Sequence, residues 1–255
     1  MNIRINIEYD GEGYFGWQRQ PGLPTIQGTI EKALKKITGE FINVCGAGRT
    51  DTGVHAFGQV GSFHTDFPVP DTKWWKVLNQ YLPNTIRITG SCKVADVFHA
   101  QRSASSKIYE YRILNSRVPT ALDRMQLFCP TPLDMEKIRT ALPQFVGTHD
   151  FKAFQSSGGT VKTTVRELYS FDLFDEGRGR YRFVLEGSGF LKQMVRNIMG
   201  TVLEVGEGKR SPDDIARILA SRRRQEAGRT VPACGLCLVT VKYPEPYQMP
   251  DRLLH

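Results

Sequence analysis

Ile3, Ile5, Ile7 and Tyr9 alternate with Arg4, Asn6 and Glu8 at the start of the chain, the period-two pattern of a half-buried strand. The run TIQGTIEKALKKITG then spaces Ile26, Ile30, Ala33, Leu34 and Ile37 at helical intervals, with Thr25 as N-cap and Gly39 as stop. A strand through Ile42 and Val44 leads into a glycine-rich loop, and another through Val60 and Phe63 follows it. A helix near 72–82, ended by Pro83, and strands near 85–97 complete a first α/β unit. The small polar stretch HAQRSASSK (99–107) marks a junction, so the expected domains are 1–102 and 103–255.

The second part repeats the mixture. Ile108 to Leu114 reads as a strand and MEKIRTALPQFVG as a short helix. A hairpin is expected from 165–174 and 180–185 across Asp175-Glu-Gly-Arg-Gly179. GFLKQMVRNIMGTVLEV carries a stripe of Leu191, Met194, Val195, Ile198, Met199, Val202 and Leu203 at a 3.6 period, which packs this helix against a core. Ser211-Pro212-Asp213-Asp214 opens another helix, with a Ser cap and early acids suited to the dipole. A last strand runs from Gly235 to Val241. Strands joined mostly by hairpins and interspersed with helices predict an α+β fold with an antiparallel sheet. IEKALKKITGEF and MEKIRTALPQFVG are faintly alike, as two related halves or chance would make them.

Charge changes the picture more than bulk composition does. The chain has 255 residues, 40% hydrophobic and 24% charged, which is ordinary for a globular protein. Its 34 Lys and Arg against 26 Asp and Glu leave a net charge of +8, which points to a polyanion such as nucleic acid. The start lacks the charged and apolar regions of a signal peptide. The longest apolar-rich helix, near Phe190 to Val205, is interrupted by Lys192 and Arg196, so a cytosolic protein without a membrane span is expected. Five scattered cysteines do not resemble a disulfide framework, and Cys234-Gly-Leu-Cys237 lacks two further ligands for zinc, so it reads as packing.

The loop CGAGRTDTGVHAFGQV, from Cys45 to Val60, is the least ordinary segment. It lacks the lysine of a phosphate-binding P-loop, and it places Asp51 where a dinucleotide fingerprint needs its third glycine. A carboxylate is ionised at neutral pH without a base to activate it, and it is also a tolerable leaving group, which suits a reversible covalent adduct. Arg49, two residues away, projects to the same side if the loop is extended; a surface Arg–Asp pair in a turn is the plain alternative. On the later helix, Arg196 lies at the edge of the apolar stripe while Gln193, Asn197 and Glu204 take the polar face. A cation there meets a carboxylate or an anionic ligand, or snorkels to solvent. Gly200 costs about 1 kcal/mol in a helix interior and implies a close neighbour. Tyr109 and Tyr111 share one face of a strand flanked by Lys107 and Arg112; they fill a core or stack on bases. Arg222-Arg-Arg224 and Arg229 form a second basic cluster, read either as a solvated helix end or as phosphate contacts.

Together, YDGEGYFGWQRQPGLPTIQGTIEKAL, GRTDTGVHA, KIYEYRI, GSGFLKQMVRNIMGTVLEVG and GLCLVTVKYP resemble, in order and spacing, the motifs of the tRNA pseudouridine synthase A family over essentially the whole chain. Thr52, Met199 and Val231 are slight departures. The resemblance implies two ferredoxin-like halves sharing a largely antiparallel sheet, and a homodimer that binds tRNA. It implies isomerisation of uridine to pseudouridine at positions 38, 39 and 40 of the anticodon stem-loop, without cofactor or metal. Carried over residue by residue, Asp51 matches the catalytic aspartate, Tyr109 the substrate-stacking tyrosine, Arg196 the arginine that pairs with the aspartate, and Arg49 the loop arginine implicated in base displacement. Whether the carboxylate attacks uracil C6 or ribose C1′ is left open. A noncatalytic tRNA-binding or RNA-chaperone protein is the rival reading. A metal-dependent nuclease is weaker, because no second acidic cluster accompanies Asp51.

Overall fold

The computed structural model describes residues 1–122, 124–159 and 161–247; His255 lies outside them. The chain divides into two units, one of residues 1–107 with 237–255 and one of residues 108–236. The fold class is α+β, as expected.

In the first unit the elements are β1 (Asn2–Tyr9), α1 (Ile26–Thr38), β2 (Cys45–Gly46), β3 (His55–His64), α2 (Trp74–Asn79) and β4 (Ile86–Val94). The strand order is β4-β1-β3, and β2 adds to β3. β1 is antiparallel to both neighbours, pairing Ile5 with Gly61 on one side and with Ser91 on the other. The expectation of one buried face on β1 fails: Arg4 and Asn6 are buried along with Ile3, Ile5 and Ile7. Arg4 is covered by the C-terminal segment: its guanidinium lies 4.6 Å from the Tyr243 ring centre and donates to the Tyr247 carbonyl.

α1 has the cap and stop read from the sequence. Thr25 Oγ1 accepts from Gly28 N at 3.3 Å, and Gly39 ends the helix at φ 80°. The strand expected through Ile42 and Val44 is absent. Side chains of α1 take up the backbone there: Val44 N donates to Glu31 Oε1 at 3.1 Å, and Gln27 Nε2 donates to Val44 O at 3.1 Å. α2 is shorter than the expected 72–82. A tight turn at Asp71–Lys73 precedes it, and the Asn79 side chain bonds both backbone groups of Ile88, tying the helix end to β4.

In the second unit the elements are β5 (Ser106–Asn115), β6 (Leu127–Cys129), α3 (Met135–Ala141), β7 (Gly147–Asp150), β8 (Val165–Gly177), β9 (Arg180–Gly187), α4 (Met194–Gly206) and α5 (Asp214–Ser221). The order is β5-β9-β8-β7, with β6 parallel to β5. A final strand, β10 (Leu236–Lys242), runs parallel to β3, pairing Cys237 with His55. The β8–β9 turn is tighter than expected because Arg178 and Gly179 both adopt positive φ, which suits a two-residue hairpin. α5 opens on a reciprocal cap in which Ser211 Oγ accepts from Asp213 N and the Asp214 carboxylate accepts from Ser211 N.

The apolar stripe of α4 is buried as read, but the helix begins at Met194, because Gln193 sits at φ 58° just before it. Nearly every position of α4 is buried, including Asn197, which was assigned to a polar face. The close neighbour expected at Gly200 is the backbone of Arg229; a Cβ on Gly200 would lie 1.7 Å from its carbonyl oxygen. Gly200→Ala therefore loses stability by about 1–3 kcal/mol through overpacking, despite the roughly 1 kcal/mol that alanine gains in helix propensity. Urea unfolding measures the sign, and a stabilised variant would show that the 228–231 segment is not packed on α4.

Candidate active site

Arg49 and Asp51 lie in the first unit, on the loop between β2 and β3. Arg49 is exposed, Thr50 is buried and Asp51 is half-buried, so the chain alternates here as an extended segment does. Thr50 points inward, where its Oγ1 meets Tyr9 Oη at 2.8 Å.

The backbone on both sides of Asp51 is held. Gln59, fully buried on β3, donates from Nε2 to Gly48 O at 2.8 Å and accepts at Oε1 from Gly48 N at 3.3 Å. Trp17 N donates to Thr50 O at 3.0 Å, and Val54 N donates to Asp51 O at 3.1 Å. Gly53 N donates to Tyr14 O at 3.3 Å. Two glycines are required by close approach. A Cβ on Gly46 would stand 2.4 Å from the Trp17 ring, and one on Gly16, already at φ 82°, 2.6 Å from Thr50 O. Burial pushes the Tyr9 phenol well above its usual range, so it stays neutral and able to donate. Beyond the loop, Gly11 N and Asp10 Oδ1 both approach His55 Nδ1, at 3.1 and 3.0 Å.

Tyr109 and Arg196 lie in the second unit. Tyr109, on β5, is 6% exposed and its ring meets Phe190 edge-on, with centroids 5.0 Å apart and an interplanar angle of 77°. Tyr111 is not a second stacking surface. It is fully buried, its hydroxyl donates to Pro232 O at 2.8 Å, and burial raises its pKa far above the ordinary tyrosine value. Arg112 is engaged by Glu110 at 2.9 Å.

Arg196, on α4, is half-buried and its Nε donates to Val231 O at 2.7 Å, which fixes the plane of the guanidinium. The next residue is a buried polar hub. Asn197 Nδ2 donates to Phe154 O at 2.8 Å, and Oδ1 accepts from Arg224 at 2.9 Å and Thr230 Oγ1 at 2.6 Å. Arg224 also holds Gly228 O at 2.9 Å. The basic cluster of the second unit is thus largely ion-paired. Arg222 pairs with Asp150 at 2.9 Å, Arg223 with Glu226 at 2.5 Å and Arg229 with Glu207 at 2.9 Å. Gln59, Tyr9 and Asn197 escaped the sequence reading as supports. The one available signal was an amide inside an apolar run, which does not reveal its partners.

Among the described residues no group of His, Cys, Asp and Glu is arranged to hold a metal ion, and none of the five cysteines forms a disulfide. Cys237 is buried, and Cys234 directs its thiol to Gln126 O at 3.7 Å. No helix among the described residues is long and apolar enough to cross a membrane.

The family model for tRNA pseudouridine synthase matches residues 5–101 and 141–244. Curated proteins named tRNA pseudouridine synthase A are 46% identical in Acetivibrio thermocellus, over 95% of this chain, and 46% identical in a Geobacter species, over 96%. The Clostridium perfringens protein named tRNA pseudouridine synthase A 2 is 44% identical over 95% of this chain. Each match spans 99% of the relative. A solved archaeal box H/ACA Nop10–Cbf5 complex matches at 13% identity and a TM-score of 0.35, over 79% of this chain and 44% of that one, too loose a likeness to bear on function.

The Asn197 hub generates a stability prediction. Asn197→Ala strands the Phe154 carbonyl and removes the shared acceptor of Arg224 and Thr230, so unfolding free energy should fall by about 2–4 kcal/mol. Urea titration followed by circular dichroism measures it, and a loss below about 1 kcal/mol would mean that these groups find other partners.

Proposed function

The chain belongs to the tRNA pseudouridine synthase family, and we propose that within this isomerase activity it acts on uridines 38, 39 and 40 of the anticodon stem-loop, with Asp51 as the nucleophile. The observation that carries this reading is a half-buried carboxylate on a loop whose flanking backbone is pinned at Gly48, Thr50, Gly53 and Val54. A polyanion binder gains nothing from a carboxylate facing its ligand, whereas a reaction that needs a ready nucleophile does.

The target uridine leaves its stack, at a cost of a few kcal/mol that stacking and phosphate contacts offset. Asp51 forms the covalent adduct, and the C1′–N1 bond breaks. The uracil turns, C1′ bonds to C5, the C5 proton is released and N1 acquires one. The carboxylate leaves unchanged, so the step is redox-neutral and calls for no nicotinamide or flavin. Tyr109 supplies the aromatic surface for the base. Arg196 is the arginine that this reading pairs with Asp51, and Arg49, exposed on the loop, takes part in displacing the base. A cytoplasmic homodimer with tRNA across both subunits completes the reading.

Release of tritium from tRNA labelled at uridine C5 tests it. Asp51→Asn should lose more than about 1,000-fold in release rate, as removal of a covalent nucleophile does, while its affinity for tRNA stays within about threefold of wild type, a shift of under 1 kcal/mol. Wild-type release by Asp51→Asn would refute the nucleophile assignment. No release by the unaltered protein from any suitable tRNA would leave the noncatalytic binder as the better account.

A further inference from the structure

The loop bearing Asp51 is glycine-rich, and glycine segments have the largest conformational freedom to lose. A nucleophile must nevertheless be held within a fraction of an ångström, since a misplacement of about 1 Å can cost roughly 100-fold in rate. Something fixes this loop from beneath.

Three buried polar side chains of the first unit meet there. Gln59 is fully buried, Tyr9 is 3% exposed and Thr50 is 7% exposed. Gln59 Oε1 accepts from Gly48 N at 3.3 Å and from Val60 N at 3.2 Å. Its Nε2 donates to Gly48 O at 2.8 Å and, more weakly, to Tyr9 Oη at 3.4 Å. Only one orientation of the amide satisfies this set, because a flip would set its NH2 against two N–H donors. Tyr9 Oη therefore accepts from Gln59 Nε2 and shares a second hydrogen bond with Thr50 Oγ1 at 2.8 Å. The hydrogen bonds connect β3, through the end of β1, to the residue before Asp51.

We propose that Gln59 and Tyr9 are positioning residues for Asp51, acting through Gly48 and Thr50 to set the direction in which the loop presents its carboxylate. The proposal rests on Asp51 being the nucleophile. Neither side chain touches the reacting atoms. Gln59 holds both hydrogen-bonding groups of Gly48 as a neighbouring strand would, extending the ladder one step beyond β2. Tyr9 fixes the Thr50 side chain while Trp17 N holds its carbonyl, so the residue before Asp51 is held at two points.

Tyr9→Phe deletes one oxygen and keeps the ring against Trp17. With tRNA tritiated at C5, and below the unfolding midpoint of every variant, Tyr9→Phe should lower kcat at least tenfold, on the way to the 100-fold that a 1 Å error costs. KM should stay within about twofold of wild type, because uniform binding is not what is lost. Thr50→Val should match Tyr9→Phe, Thr50→Ser should recover most of the Thr50→Val loss, and the double variant should be no slower than the slower single one. A Tyr9→Phe kcat within about twofold of wild type, a defect in KM alone, or additive losses would overturn the proposal. If Tyr9→Phe does not fold, the Thr50→Val and Thr50→Ser pair decides. Asp51→Asn, run alongside, separates the two failures: wild-type release by that variant refutes the nucleophile, whereas its inactivity beside a wild-type Tyr9→Phe refutes only the positioning.

Discussion

A single buried amide carries an unusual share of the first unit's order. Gln59 has no solvent to fall back on, so each of its polar atoms must be matched inside the protein, and the match it finds is both sides of Gly48. The loop is thereby joined to β3 by a side chain standing in for a strand. The glycines on either side have a defined use: Gly46 makes room for Trp17 and Gly16 for the Thr50 carbonyl. The loop combines glycine backbone, which lets a nucleic acid approach closely, with a support that removes the freedom glycine brings.

The second unit solves a comparable problem on a helix. Arg196 has a long side chain with much rotamer freedom to lose, and its Nε is spent on Val231 O. That carbonyl belongs to a segment fixed against α4 by three different devices. Gly200 admits the Arg229 backbone, Thr201 Oγ1 accepts from Gly228 N at 2.8 Å, and Asn197 gathers Arg224 and Thr230. The direction of the guanidinium thus depends on how a segment distant in sequence packs on α4.

Period and punctuation were legible in the sequence, and partnership was not. The stripe of α4, the Thr25 cap and the Gly39 stop are local properties, and they appear as read. The identity of the loop rested on residue types at fixed spacing, equally local. What failed was non-local. Asn197 looks solvent-facing from a helical wheel, but α4 is buried on nearly every side, so the wheel has no polar face at that point. Val44 has the apolar pattern of a strand residue, yet two side chains of α1 took its hydrogen bonds first. Arg4 obeys period two, but the C-terminal segment lies over it and buries it as well. In each case tertiary context overrode a correct local pattern.

The same distinction governs the positive charge. From the sequence, Arg222-Arg-Arg224 with Arg229 is the densest basic cluster and the natural place to look for phosphate contacts. In the fold Arg222, Arg223 and Arg229 face Asp150, Glu226 and Glu207, and Arg224 is spent on Asn197, Thr230 and Gly228. An arginine already paired adds little net field, since its counter-charge travels with it. Among the described residues Lys32, Lys35 and Lys36, exposed on α1, have no carboxylate within ion-pair distance. Charge of that kind, rather than the arginine run, releases counterions when a phosphate arrives. Density of basic residues in a sequence therefore overstates their unpaired charge: arginine, with its planar five-donor fork, is well suited to carboxylate pairing, and Arg222, Arg223 and Arg229 are paired so at the surface.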